Sequence, residues 1–259
     1  VESGIASSWD ISEDGMTYTF HLIPEISWVR YDPESGQVVQ VTDDAGNVRY
    51  VTAHDVVYGW QRSLNPLTIS YYGAGVLAPW VVGASDIVNL EPDANGNLDE
   101  AALAAAVEGL GIKALDDYTF EVKTTGDFAF LPNIFGMWMA RPQPQWAIDE
   151  YGESWIEAGN FQSYGPFALK EWKHGETITF VRNPFWQGTD TIPVAKIDGW
   201  TNLFLERSAA LANYEAGQLH YINPVSNPDL DRVRTEYPEE FGVGPGTCTY
   251  YYGFNVEKA

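Results

Sequence analysis

Residues 51–62 read Val51-Thr52-Ala53-His54-Asp55-Val56-Val57-Tyr58-Gly59-Trp60-Gln61-Arg62, and the hydrophobic period changes inside this stretch. Thr52 and Asp55 stand at capping-box spacing: the Thr52 hydroxyl can accept from first-turn amides, and the Asp55 carboxylate can reach back and suits the positive helix end. Val56, Val57, Trp60 and Leu64 then fall on one face, which predicts a helix over 53–64, stopped by Asn65-Pro66.

Upstream the grammar is that of strands. Asp14-Gly15 is a tight-turn dipeptide, and Thr17 to Leu22 after it alternates and is rich in strand formers. A hairpin is expected where 37–42 and 47–52 flank Asp43-Asp44-Ala45-Gly46. Downstream, 67–92 reads as loop with short helical turns, Asp99 or Glu100 to Leu110 as a helix stopped at Gly111, and 118–123 as a strand. Pro142 and Pro144 mark a boundary. Beyond it come a helix at 145–151, strands at 167–172, 177–182 and 197–204, helices at 208–216 and 228–237, and a last strand at 249–255. Strands interleaved with helices make the fold class mixed α/β (α+β).

The 259 residues suffice for one large domain or two small ones, and 45% hydrophobic content with 10 Trp spread along the chain excludes a disordered protein. With 14 basic against 36 acidic side chains, the net charge of −22 argues against nucleic acid and against anionic membrane surfaces, whose phosphates need clustered Lys and Arg. No run approaches the length of a spanning helix, and Val1-Glu2-Ser3-Gly4 has neither a basic nor an apolar leader pattern, so a soluble chain is expected, any export signal having been removed or never part of this sequence. One cysteine, Cys248, forms no internal disulfide and leaves the redox compartment open.

Signals for catalysis are weak. His21, His54, His174 and His220 fall in separate predicted elements, without zinc-ligand spacing. Nothing near Cys248 would lower its pKa as a nucleophile requires. The glycine-rich 242–246 lacks the Lys and Ser/Thr of a phosphate loop. Asp93-Ala94-Asn95-Gly96-Asn97-Leu98-Asp99 resembles the first half of a calcium loop, but Leu98 replaces the turn glycine and Ala104 the bidentate Glu, so a polar turn with a helix cap is the better reading. The Trp residues read mostly as core, although aromatic walls also line binding clefts.

In order along the chain, Ser8-Trp9-Asp10 to Leu22, Val51 to Arg62, Gly111 to Val122, Tyr151 to Trp155, Gly165 to Trp172, Arg182-Asn183-Pro184-Phe185-Trp186, Tyr214 to Gly217 and Cys248 to Tyr252 match strings of one family. By them the chain resembles the extracellular solute-binding proteins of the peptide and nickel class, the receptors of ABC importers, and most of all their oligopeptide-binding members. Each string alone is weak. The ordered set is strong and covers nearly the whole chain.

The resemblance implies a periplasmic-binding-protein type II-like receptor whose two lobes close over an extended peptide, here as an N-terminal fragment lacking the second lobe. Residues 1–144 look like the extra domain of the peptide-binding class, 145–247 like part of the first lobe, and 248–259 like the start of a crossover strand. Tyr72 matches a tyrosine that lines the cleft, and Tyr251 one on the crossover strand. Cys248 matches a cysteine bonded to a partner in the absent lobe. Gly253 and Gly246 depart from a charged pocket residue and a tyrosine of the family. The implied partners are a peptide ligand and the ABC membrane permease. The resemblance implies a monomer with no catalytic residue, metal or cofactor. It would work at the periplasmic or extracellular face of the membrane, and a lipid anchor is compatible with the class. The same scaffold accommodates nickel chelates, dipeptides, haem or oligosaccharides, and the alternative class is a secreted carbohydrate-active enzyme with a Trp-lined cleft.

Overall fold

The strand predicted at 17–22 buries every second side chain: Tyr18, Phe20 and Leu22 point inward. A computed structural model describes residues 2–244, 246, 252–254 and 256. The chain divides into two compact units, Val1–Leu203 and Phe204–Ala259.

In the first unit, β1 (Ala6–Ile11), β2 (Thr17–Leu22), β3 (Val29–Asp32) and β4 (Gln37–Gln40) precede α1 (Ala53–Leu64). Then come α2 (Ala84–Val88), α3 (Glu100–Glu108), β5 (Ile112–Asp116), β6 (Thr119–Lys123), α4 (Leu131–Phe135) and α5 (Gln145–Tyr151). The unit closes with β7 (Phe167–Lys173), β8 (Thr177–Arg182) and β9 (Gly199–Leu203). These strands form an antiparallel sheet in the order β1-β2-β6-β5, a β3-β4 ribbon, and an antiparallel sheet β7-β8-β9. The chain is thus a mixed α/β fold.

The core lies where α1 covers the four-stranded sheet. Phe20 and Phe120 stand opposite in the β2–β6 register and stack at 4.8 Å. Val122 and Ile112 extend this face, and Val56, Trp60 and Leu64 of α1 pack on it. The helix occupies the predicted range. Its cap is the expected capping box, with the Thr52 side chain facing the Asp55 amide and the Asp55 carboxylate accepting from the Thr52 amide at 2.9 Å; the Thr52 hydroxyl also donates to the same carboxylate oxygen at 3.3 Å. The indole of Trp28, from the turn into β3, donates to that oxygen too, at 3.2 Å. Burial pushes the Asp55 pKa up, while these hydrogen bonds oppose the rise.

The hairpin expected about Asp43-Asp44-Ala45-Gly46 takes another form. Residues 37–40 pair with β3 through a turn in which Gly36 donates to the Asp32 carbonyl at 2.8 Å. The Asp43 turn does form, but it closes only a Thr42↔Val48 bridge. Asp43 and Asp93 build the same turn: in each Asp-x-x-Gly-Asn string the carboxylate accepts the Asn amide, at 2.8 Å from Asn47 and 2.9 Å from Asn97, and the glycine takes φ +84°. The calcium-like string at 93–97 is therefore such a turn, and Asp99 caps α3 by accepting from Ala101 and Ala102.

In the second unit, α6 (Arg207–Glu215) and α7 (Leu230–Glu236) bury Leu211 and Val233, and Arg232 joins them by pairing with Glu215 at 2.6 Å and Glu236 at 2.8 Å. The start expected at Pro228 is a 3₁₀ turn, Asn227–Asp229, that leads into α7. The strand expected at 249–255 lies outside the described residues.

Candidate functional site

Tyr72 sits in a loop that its sequence builds stepwise. The Asn65 side chain accepts from the Leu67 amide at 2.9 Å and starts a 3₁₀ turn, Pro66–Thr68. Ile69 ends that turn in the left-handed region, at φ 54°. Ser70 Oγ then accepts from the Gly73 amide at 3.1 Å, and Tyr72 precedes the π-helical turn Gly73–Leu77.

Two features of α1 hold this loop. A Cβ at Gly73 would lie 1.9 Å from the Ser63 carbonyl oxygen, so only glycine lets the loop approach the helix end so closely. The Ser63 hydroxyl donates to the Met139 carbonyl at 2.8 Å, and the Trp60 indole donates to the Ala140 carbonyl at 2.7 Å. Both carbonyls belong to the 3₁₀ turn Trp138–Ala140. One rigid helix thereby carries both the Tyr72 loop and the Trp138 turn.

The result is an exposed aromatic surface. Tyr72 meets Trp138 edge to face at 4.8 Å and Tyr71 at 5.5 Å. Their exposures are 40% for Tyr72, 56% for Trp138 and 79% for Tyr71, against 1% for Trp60 beneath them. A second cluster joins Trp80 to Phe128 and Phe130, each at 5.0 Å.

Trp138 also lines a cavity of about 880 Å³ within the first unit, whose walls include Phe20, Phe135, Phe180 and Trp200. The walls are mainly apolar. Among their polar groups, Gln143 accepts from Arg62 at 3.0 Å and Gln162 from the Trp146 indole at 2.8 Å, so both amides are already engaged. Tyr164, packed edge to face on Trp28 at 4.9 Å, has its pKa pushed up to about 12 by burial.

Tyr72 is therefore placed on an accessible surface, whereas Tyr251 and Cys248 lie outside the described residues. Trp138 was not legible as a site residue. Its one sequence signal is a tryptophan without periodic partners inside the uncharged run 128–140. His21 pairs with Asp10 at 2.8 Å, His54 with Asp117 at 3.6 Å and His174 with Glu157 at 3.0 Å, all on the surface. Among the described residues no three His, Cys, Asp or Glu side chains converge.

The sequence model of the bacterial extracellular solute-binding proteins, family 5, matches residues 1–259. The periplasmic oligopeptide-binding protein OppA of Escherichia coli is 30% identical over 258 residues, which cover 98% of this chain and 41% of that protein. The probable deoxycholate-binding periplasmic protein YgiS of the same organism is 27% identical over 259 residues, covering 100% of the chain and 42% of the relative. The crystal structure of Haemophilus influenzae OppA in complex with RPPGFSPFR superposes with a TM-score of 0.69 at 26% identity, covering 91% of this chain and 40% of that one. The chain thus spans about two fifths of the length of the relatives it matches.

Proposed function

The chain belongs to the bacterial extracellular solute-binding proteins, family 5, a family of non-enzymatic receptors, and from that membership we propose that it forms part of an oligopeptide receptor of an ABC importer. Tyr72 lines the ligand cleft in this reading. Tyr251 would line it from the crossover strand, and Cys248 would bond to a cysteine of the second lobe. Closure of that lobe over the peptide would hold the closed state through contacts made only when both lobes engage, which the permease then reads.

The observation that carries the proposal is the buttressed aromatic surface at Tyr72, in a chain 30% identical to OppA of Escherichia coli over almost its whole length. Aromatic rings on turns tied to a rigid helix offer contact area at low entropic cost, which suits a ligand of varied side chains. The receptor would act at the outer face of the membrane, as its periplasmic relatives do, as a monomer and with a lipid anchor compatible with that place. A second reading, an amphipathic steroid ligand, is favoured by the apolar cavity and by the likeness to YgiS.

Thermal denaturation of the receptor at the length of its relatives tests the choice. At a hundredfold excess over Kd, a peptide mixture should stabilise it by about 2.7 kcal/mol, with deoxycholate inert. Stabilisation by deoxycholate alone would replace the peptide reading with the steroid one. The isolated 259 residues should show no peptide affinity in calorimetry, and micromolar binding there would show that one wall suffices.

A further inference from the structure

Resting on the peptide reading above, we infer that Trp138, with Tyr72 and Tyr71, forms a subsite that selects an uncharged apolar side chain of the bound peptide, aliphatic or aromatic, over a charged one. Charge is distributed unevenly along this chain. It carries 50 charged residues, 14 basic and 36 acidic, yet none between Arg62 and Asp86 and none between Asp127 and Arg141. The fold brings these two charge-free runs together: Tyr71 and Tyr72 come from the first, Trp138 from the second. The cations Arg62 and Arg141 stand at the ends of these runs and not within them, and the Arg62 guanidinium is turned to Gln143, to which it donates at 3.0 Å, and to the Trp155 ring, over which it lies at 5.4 Å.

A ligand carboxylate or ammonium placed against the three rings would lose hydration and find no opposite charge from either run, which is costly. An apolar side chain gains burial against rings whose backbone segments α1 already holds in place. Cation–π attraction is the competing effect, but it is worth about 0.5–1 kcal/mol at exposed rings and does not restore a lost hydration shell. Specificity of this kind arises from rejecting the wrong side chain as much as from holding the right one.

The test uses the receptor at the length of its relatives and tetrapeptides of alanine carrying Leu, Phe, Lys or Glu at one position at a time. Calorimetry should find one position where Leu and Phe bind at least about tenfold tighter than Lys and Glu, within the range a hydrophobic pocket reaches. Trp138→Ala should collapse that preference to within about threefold while tetra-alanine loses less than about threefold. Trp138→Glu should turn the same position toward Lys, and this second variant keeps the answer clear should Trp138→Ala alter the loop. Equal losses for all peptides, or a loss largest for the Lys peptide, would overturn the subsite while leaving peptide binding intact. Absence of peptide binding by the wild-type receptor would instead overturn the peptide reading, and the subsite with it.

Discussion

Replacing Asp55 by alanine should destabilise the first unit by about 2–4 kcal/mol. One carboxylate oxygen accepts three hydrogen bonds, from the Thr52 amide at 2.9 Å, the Trp28 indole at 3.2 Å and the Thr52 hydroxyl at 3.3 Å. Trp28 is 1% exposed, so its N–H cannot turn to water; an orphaned buried donor costs about 1–3 kcal/mol, and loss of a helix cap about 1 kcal/mol more. Removing a buried carboxylate returns part of that loss, because burial raises its pKa. Asp55→Asn keeps one acceptor oxygen and the shape, and should stay within about 1 kcal/mol of wild type at neutral pH. All ten tryptophans lie within residues 1–203, so intrinsic fluorescence in a urea titration reports this unit. The midpoint should fall with the slope unchanged. The pH dependence has a definite sign. With a folded pKa above the ordinary 3.8, the native state binds more protons than the unfolded one between the two values, so stability falls as pH rises across that window. Wild type should therefore lose stability relative to Asp55→Asn as pH rises from 3.8 through the folded value. A loss below about 1 kcal/mol for Asp55→Ala, or a wild-type advantage growing with pH, would refute the reasoning.

Gly73→Ala places a methyl 1.9 Å from the Ser63 carbonyl and should cost at least about 1–3 kcal/mol in a melting experiment, since backbone, not a pliable side chain, must yield. Ile69 is β-branched, left-handed at φ 54° and 88% exposed, so its strain is offset by no packing; Ile69→Asn should stabilise by about 1 kcal/mol, read as a higher urea midpoint. Hydrogen bonds from Asn47 to Asp43, and from the Asn97 amide to Asp93, hold both carboxyls below 3.8. Their contribution to stability is present above 3.8 and lost as pH falls through the lowered folded values, so NMR titration should place both midpoints below 3.8 and Asp93→Ala should flatten stability across that window.

What could be read without the structure was local. The helix 53–64 follows from capping spacing and an apolar stripe within one segment, and β2 from alternation beside a tight turn; both signals repeat over a few residues and survive packing. The β5 strand was not singled out because its pattern, one buried end on an exposed edge, barely alternates. Pairing partners were not legible either. Residues 37–40 could answer the turn on either side, and tertiary structure joined them to 29–32, with Val29 also bridging Ser163. Family membership was written in ordered strings spread over the chain, so the sequence alone determined it. The candidate site was half legible. Tyr72 could be marked by resemblance, but its meeting with Trp138 depends on one helix reaching both segments through Ser63 and Trp60. Contacts between residues so far apart in sequence carry no periodic trace, and only the packed helix, with a glycine allowing its close approach, decides them.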